Sequence, residues 1–300
     1  MSLQSKLSAI DAQTKAAVLN EALPYFQNFR GSVFVVKYGG SFMDDPDVSK
    51  RLQVARDLTL LASVGVHVVV VHGGGKAISR GMEQAGIEVE FRNGLRYTTK
   101  EAVSIVEQTL NEQVNREICD MITSLGGNPA PLRGNDVLRC RRLEKDADGN
   151  PVDLGYVGEI TSVNTSLIRK NLSNLAIPVI SPVAVDAQGQ PYNTNADLAA
   201  AQVARALACR RLVFLCDVPG LLRDPSDRSS LISSLKVDEV PELVRQGVIG
   251  KGMLPKVEGA CMAIRSGVKR VHFVEGLMPH SLLLEIFTDE GIGTEIVNVD

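Results

Sequence analysis

Two glycine-rich turns each carry a lysine and each follow a β-branched run: Lys37-Tyr38-Gly39-Gly40-Ser41 and His72-Gly73-Gly74-Gly75-Lys76. Glycine lets backbone N–H groups come close to an anion, and a helix opening at such a turn adds a favourable dipole. A tight strand-to-helix turn would use the same residues. Two such turns, each with a lysine, point instead to phosphate or carboxylate binding. A third glycine-flanked segment, Gly250-Lys251-Gly252-Met253-Leu254-Pro255-Lys256, delivers another ammonium from a helix start. Asn93-Gly94-Leu95-Arg96 puts an arginine just past a turn, and guanidinium is well shaped to grip a carboxylate with two hydrogen bonds. Taken alone, that arginine reads as a solvated surface residue. Asn193-Thr194-Asn195-Ala196-Asp197 opens a small-residue helix, where Asn or Asp also serves as an N-cap. Cys216-Asp217-Val218-Pro219-Gly220-Leu221 closes an apolar run with a turn, in the place expected for a nucleotide edge.

Missing signatures narrow the chemistry. No G-x-x-x-x-G-K-[ST] occurs, and the dinucleotide fingerprint starting at Gly73 and Gly75 meets Ile78 where its third glycine belongs. G-x-S-x-G and H-E-x-x-H are absent, and His67, His72, His272 and His280 lack metal-ligand spacing. Cys119, Cys140, Cys209, Cys216 and Cys261 are odd in number and scattered, which argues for small buried hydrophobes in a reducing compartment rather than a disulfide framework.

The elements that must position these residues read as βα units. Apolar, β-branched runs at 32–37, 67–72, 177–182, 211–216 and 268–274 suit strands covered on both faces. Amphipathic stretches at 46–64 and 99–125 fit the helices between them. The expected fold is therefore α/β, an open and mostly parallel sheet with helices on both faces. The region 137–164 has a different texture, with a polar turn at 145–151 joining antiparallel strands. Residues 1–30 carry a partial helical stripe (Leu7, Ile10, Ala17, Val18, Leu23, Phe26), fitting either a surface buttress or an arm onto another subunit. The formal charge of −3 gives no footprint for nucleic acid or an anionic membrane, and no apolar run approaches bilayer length. No signal or transit composition precedes the first strand, so the expected location is cytoplasmic.

Together, Lys37-Tyr38-Gly39-Gly40, His72-Gly73-Gly74-Gly75, Asn93-Gly94-Leu95-Arg96, Asn193-x-Asn195-Ala196-Asp197, Asp217-Val218-Pro219-Gly220 and Gly252-Met253-x-x-Lys256 resemble the acetylglutamate kinases of the amino-acid kinase family. The order matches from about residue 32 to the C-terminus, and the N-G-L-R and N-x-N-A-D blocks separate this reading from glutamate and carbamate kinases, the nearest alternatives. The first loop departs from the pattern, with Ser41-Phe42-Met43 where Asn-Ala-Met is expected.

The resemblance implies transfer of the ATP γ-phosphoryl group to the side-chain carboxylate of N-acetyl-L-glutamate, a step of arginine biosynthesis, with Mg2+ arriving on ATP. It implies that Lys37 and Lys256 are catalytic with Asp197 orienting them. Gly74, Gly75, Arg96 and Asn193 would hold the acid; Gly39, Gly40, Asp217 and Gly220 would serve the phosphates and nucleotide. It further implies an N-terminal extension (1–30), an acid-binding lobe (31–195) and a nucleotide lobe (196–300). Members with an N-terminal helix and a C-terminal segment like 280–294 are arginine-inhibited hexamers, trimers of dimers. The resemblance thus extends to L-arginine as inhibitor, to His280, Glu290 and Gly293 as its site, and to a nitrogen-signalling protein as partner.

Overall fold

The computed structural model describes residues 11–298 except 93, 147, 148 and 251, and the side chain of Phe42 is also outside the description. Leu7 and Ile10 of the N-terminal stripe, Asn93 of the N-G-L-R block and Lys251 therefore lie outside the described residues.

Strands β1 (Val33–Tyr38) and β2 (His67–His72) pair in parallel, with Lys37 level with Val71 and Tyr38 with His72. On its other edge β1 pairs in parallel with β11 (Arg211–Cys216), placing Lys37 beside Phe214. The main sheet, counted over the described residues, has eight strands. Outward from β2 lie β8 (Ile177–Ile180) and β5 (Pro129–Leu132). Outward from β11 lie β13 (Arg270–Glu275), the antiparallel β14 (Thr294–Val297) and β12 (Ser234–Lys236).

The near-continuous apolar character of the central strands follows from burial on both faces. Val35, Val69, Val71, Leu212 and Phe214 enter one hydrophobic cluster; Phe34, Val36, Val68, Val70, Val213 and Leu215 enter the other. The first cluster is closed by α8 (Ala196–Leu207) and α10 (Leu254–Arg265). Ala199, Ala200, Ala201 and Ala204 are all buried, so the α8 backbone approaches the sheet closely. The second cluster is closed by α2 (Val48–Ser63), α4 (Lys100–Gln108) and α5 (Asn115–Ser124). A π-helical turn, Thr109–Val114, joins α4 to α5. Such turns recur at functional sites, and here the widened turn aims Leu110 and Val114 at Gly74.

Beyond the sheet, β3 (Phe91–Arg92) and β4 (Leu95–Arg96) form a short hairpin, and β6 (Leu138–Arg142), β7 (Gly158–Val163), β9 (Val183–Val185) and β10 (Pro191–Asn193) make a small second sheet. β6 and β7 are antiparallel, as the polar turn between them required. The five cysteines are free and buried. Helix α1 (Ala12–Phe29) buries Phe29 alone, while Val18 and Leu19 remain 59% and 66% exposed.

Candidate active site

The carboxyl ends of β1, β2 and β11 and the N-terminus of α8 meet around one carboxylate. Asp197, in the first turn of α8, lies 2.9 Å from Lys37 Nζ through Oδ1 and accepts a hydrogen bond from Lys256 Nζ through Oδ2. Lys37 ends its stem inside the sheet and is buried; Lys256 comes from the first turn of α10. Burial pushes the Asp197 carboxyl up, but the two ammonium charges outweigh it and hold it below the usual carboxylate range. Burial alone would lower Lys256, and the Asp197 charge reverses this and raises it. One carboxylate thus bridges two lysine side chains. Asn195 is the N-cap of α8: its Oδ1 accepts from the N–H groups of Asp197 (2.8 Å) and Leu198 (3.1 Å). Capping by Asn195 leaves the Asp197 side chain for the lysines.

The two glycine turns sit against each other beside this trio. A β-carbon on Gly39 would fall 2.6 Å from Lys37 Nζ, so the missing side chain is the space that the ammonium occupies. The Gly73 N–H donates to the Tyr38 carbonyl at 2.7 Å, tying the second turn to the first. Gly74 has φ +154°, and a β-carbon there would fall 2.6 Å from Leu110 Cδ2. Behind the turn, His72 is fully buried, with Nδ1 2.7 Å from the Gly73 carbonyl and Nε2 3.3 Å from Asn115 Nδ2. A neutral ring with the proton on Nδ1 satisfies both contacts, and burial lowers its pKa to about 4.

Arg96 reaches the same cleft from β4. Its Nη2 donates to the Gly75 carbonyl (2.8 Å) and to Ser79 Oγ (2.9 Å), and the guanidinium lies over the Phe91 ring at 4.7 Å. Among the described residues no carboxylate pairs with it, although the residue is buried. Asn193 Nδ2 donates to Thr98 Oγ1 at 3.3 Å. The cleft measures about 430 Å³, and Lys37, Gly74, Arg96, Asn193 and Asp197 line it together with apolar Ile78, Leu110 and Val157. Ser79 was not picked out in the sequence; its one signal is its place one helical turn after Gly75.

The remaining candidates fall elsewhere. Asp217 Oδ1 accepts from Ser41 N–H (2.8 Å) and Ser41 Oγ–H (2.7 Å). Gly220 has φ +156° and backs onto Thr294, whose hydroxyl accepts from the Leu221 N–H at 2.9 Å. His280 pairs with Asp57 of α2 at 2.7 Å, and burial pushes that carboxyl up to about 6. Glu290 is exposed, and the Gly293 N–H donates to Glu285 at 2.9 Å. Among the described residues no group of three or more His, Cys, Asp or Glu side chains forms a metal cage.

The profile of the Amino acid kinase family matches residues 32–275. An acetylglutamate kinase from Akkermansia muciniphila is 44% identical over 297 residues, covering 98% of this chain and 99% of that protein. An N-acetylglutamate synthase from Neisseria gonorrhoeae, solved with coenzyme A and N-acetylglutamate, superposes with a TM-score of 0.82 at 26% identity. That match covers 95% of this chain, which spans 64% of the synthase's length. The same synthase solved with coenzyme A and L-arginine gives a TM-score of 0.77 at 26% identity, covering 94% and 65% of the two chains.

Proposed function

This chain belongs to the amino acid kinase family, among its acetylglutamate kinases, and we propose that it moves the γ-phosphoryl group of ATP onto the side-chain carboxylate of N-acetyl-L-glutamate. The products are ADP and N-acetyl-L-glutamyl 5-phosphate, within arginine biosynthesis. The observation that carries this reading is one cleft lined by Lys37, Asp197 and a buried arginine that has no acidic partner among the described residues, with Lys256 bonded to the same Asp197.

A glutamate-type carboxylate has a pKa of ~4.3, so the nucleophile is ionised at neutral pH and needs no general base. What remains is to align two anions and stabilise charge on the transferring group. Arg96, held from behind by Gly75 and Ser79, takes one carboxylate of the acid, with Asn193 and the N–H groups of Gly74 and Gly75 beside it. Lys37 stands on the attack side and Lys256 towards the leaving ADP. Asp197 fixes both ammonium groups before substrate arrives. N–H groups of Gly39, Gly40 and Gly74 face the phosphoryl oxygens, and Asp217 and Gly220 form the nucleotide edge. Magnesium enters as part of the substrate Mg·ATP. Residues 31–195 serve as the acid-binding lobe and 196–300 as the nucleotide lobe.

Arginine inhibition and hexamer formation belong to the same reading. Contact between the chain ends supports them: Tyr25 of α1 donates to Asp289, and the Phe26 and Phe287 rings meet edge-on at 5.1 Å. Among the described residues no helix is long and apolar enough to cross a membrane, and a cytoplasmic location is part of the same proposal.

The direct test supplies Mg·ATP with acetylglutamate, glutamate or carbamate, follows ADP release, and traps acyl phosphate as its hydroxamate. Turnover of acetylglutamate well above the other acids is expected. Preference for glutamate or carbamate would move the chain to another branch of the family.

A further inference from the structure

We infer that Ser41 and Asp217 form a latch that positions the first glycine turn for phosphoryl transfer, so that Asp217 acts through Ser41 rather than by touching the nucleotide. This rests on the kinase reading above and refines one of its assignments.

The register of the sheet brings the two residues together. Lys37 pairs with Phe214, so the chain leaving β1 and the chain leaving β11 run side by side past the sheet edge. Three residues further along each chain come Gly40 and Asp217. Gly40 has φ +120°, backbone space that offers little intrinsic restraint. Directly after it, Ser41 spends both its N–H and its hydroxyl on one carboxylate oxygen, at 2.8 and 2.7 Å. Ser41 opens a short 3-10 turn, Ser41–Asp44, whose far end is also tied: Asp44 meets Arg80 of α3 (Gly75–Gln84) at 2.9 Å. The turn is thus strapped to the β11 side at one end and to the acid-binding helix at the other. The peptide between Gly40 and Ser41 is held through its own N–H, which donates to Asp217. A donor that points the right way before substrate arrives is worth more than one that must be ordered during reaction.

The Ser-Phe replacement in this loop acquires a role here, because the serine hydroxyl supplies half of the latch. An uncharged acceptor at 217 keeps part of the restraint and alanine removes it, so charge and position are separable.

The test uses the full chain. Ser41→Ala is expected to lower kcat about tenfold, the scale of one hydrogen bond to a charged acceptor, with the acetylglutamate KM unchanged. Ser41→Thr keeps the hydroxyl and should restore most of the loss. Asp217→Ala should cost more than Ser41→Ala, and Ser41→Ala/Asp217→Ala no more than Asp217→Ala, because both changes cut the same connection. Asp217→Asn should retain part of the rate. Amide exchange, read without substrates, should quicken at residues 41–43 in Asp217→Ala. Wild-type kcat in Ser41→Ala, multiplying effects in the double variant, or unchanged exchange in Asp217→Ala would each overturn the latch. If the unaltered chain fails to phosphorylate acetylglutamate, the kinase reading falls alone, and the exchange data still decide the latch.

Discussion

At the residue scale the site is a charge pattern with little redundancy. Lys37→Ala or Lys256→Ala should each lower kcat by ~10²–10³, the usual cost of one preorganised charge-stabilising donor. Steady-state turnover of the folded variants checks this. Arg96→Ala should mainly raise the KM for the acid and leave the ATP KM nearly unchanged, because the proposed mechanism puts the acid's carboxylate on this guanidinium. Collapse of ATP affinity instead would assign Arg96 to the other substrate. The lysines were legible in the sequence because Lys37 ends a strand at a glycine turn and Lys256 opens a glycine-flanked helix. Whether Asn195 or Asp197 capped the helix was not, since either residue type caps equally well in isolation. His280 shows the limit more sharply: its partner Asp57 lies far away in the chain, and nothing local announces it.

At the element scale the two glycine turns depend on what packs behind them. Gly74→Ala would drive a β-carbon into Leu110 and impose an unfavourable φ, so a loss of roughly 1–3 kcal/mol of stability is expected, together with weakened acid binding. Urea unfolding and the acid KM measure the two effects. His72 makes the second turn acid-sensitive. Its folded-state pKa, about 4, lies below the unfolded value of 6.5, so the unfolded chain binds the extra proton between these limits. Stability is intact above pH 6.5 and falls as pH drops towards 4, by about 3 kcal/mol from this residue. Replacing His72 with glutamine should flatten that part of the stability–pH curve, and a full slope in the variant would assign it to other groups. The strands were readable because burial on both faces leaves an unbroken apolar run. The π turn at Thr109–Val114 was not, because a helix with one extra residue keeps almost the same periodicity.

At the scale of the whole molecule, the first helix leaves Val18, Leu19 and Leu23 exposed, more apolar surface than a simple buttress would show. Removing residues 1–26 should reduce the particle size seen by light scattering and weaken inhibition by arginine. A full-length chain that is already dimeric and indifferent to millimolar arginine would remove both expectations. The sheet order carries a further consequence, for how the protein comes into being on the ribosome. Strand β1 emerges early, but its β11 edge stays uncovered until synthesis has passed from Phe34 to Arg211. At ~5–20 residues per second that wait lasts roughly 10–35 s. Throughout it, an apolar strand with open N–H and C=O groups is offered to any neighbouring nascent chain. Lys256 follows later still. The half-made molecule therefore has a sticky edge and no working centre, and its yield in a cell should depend on chaperones that shield β1 more than on the stability of the finished fold.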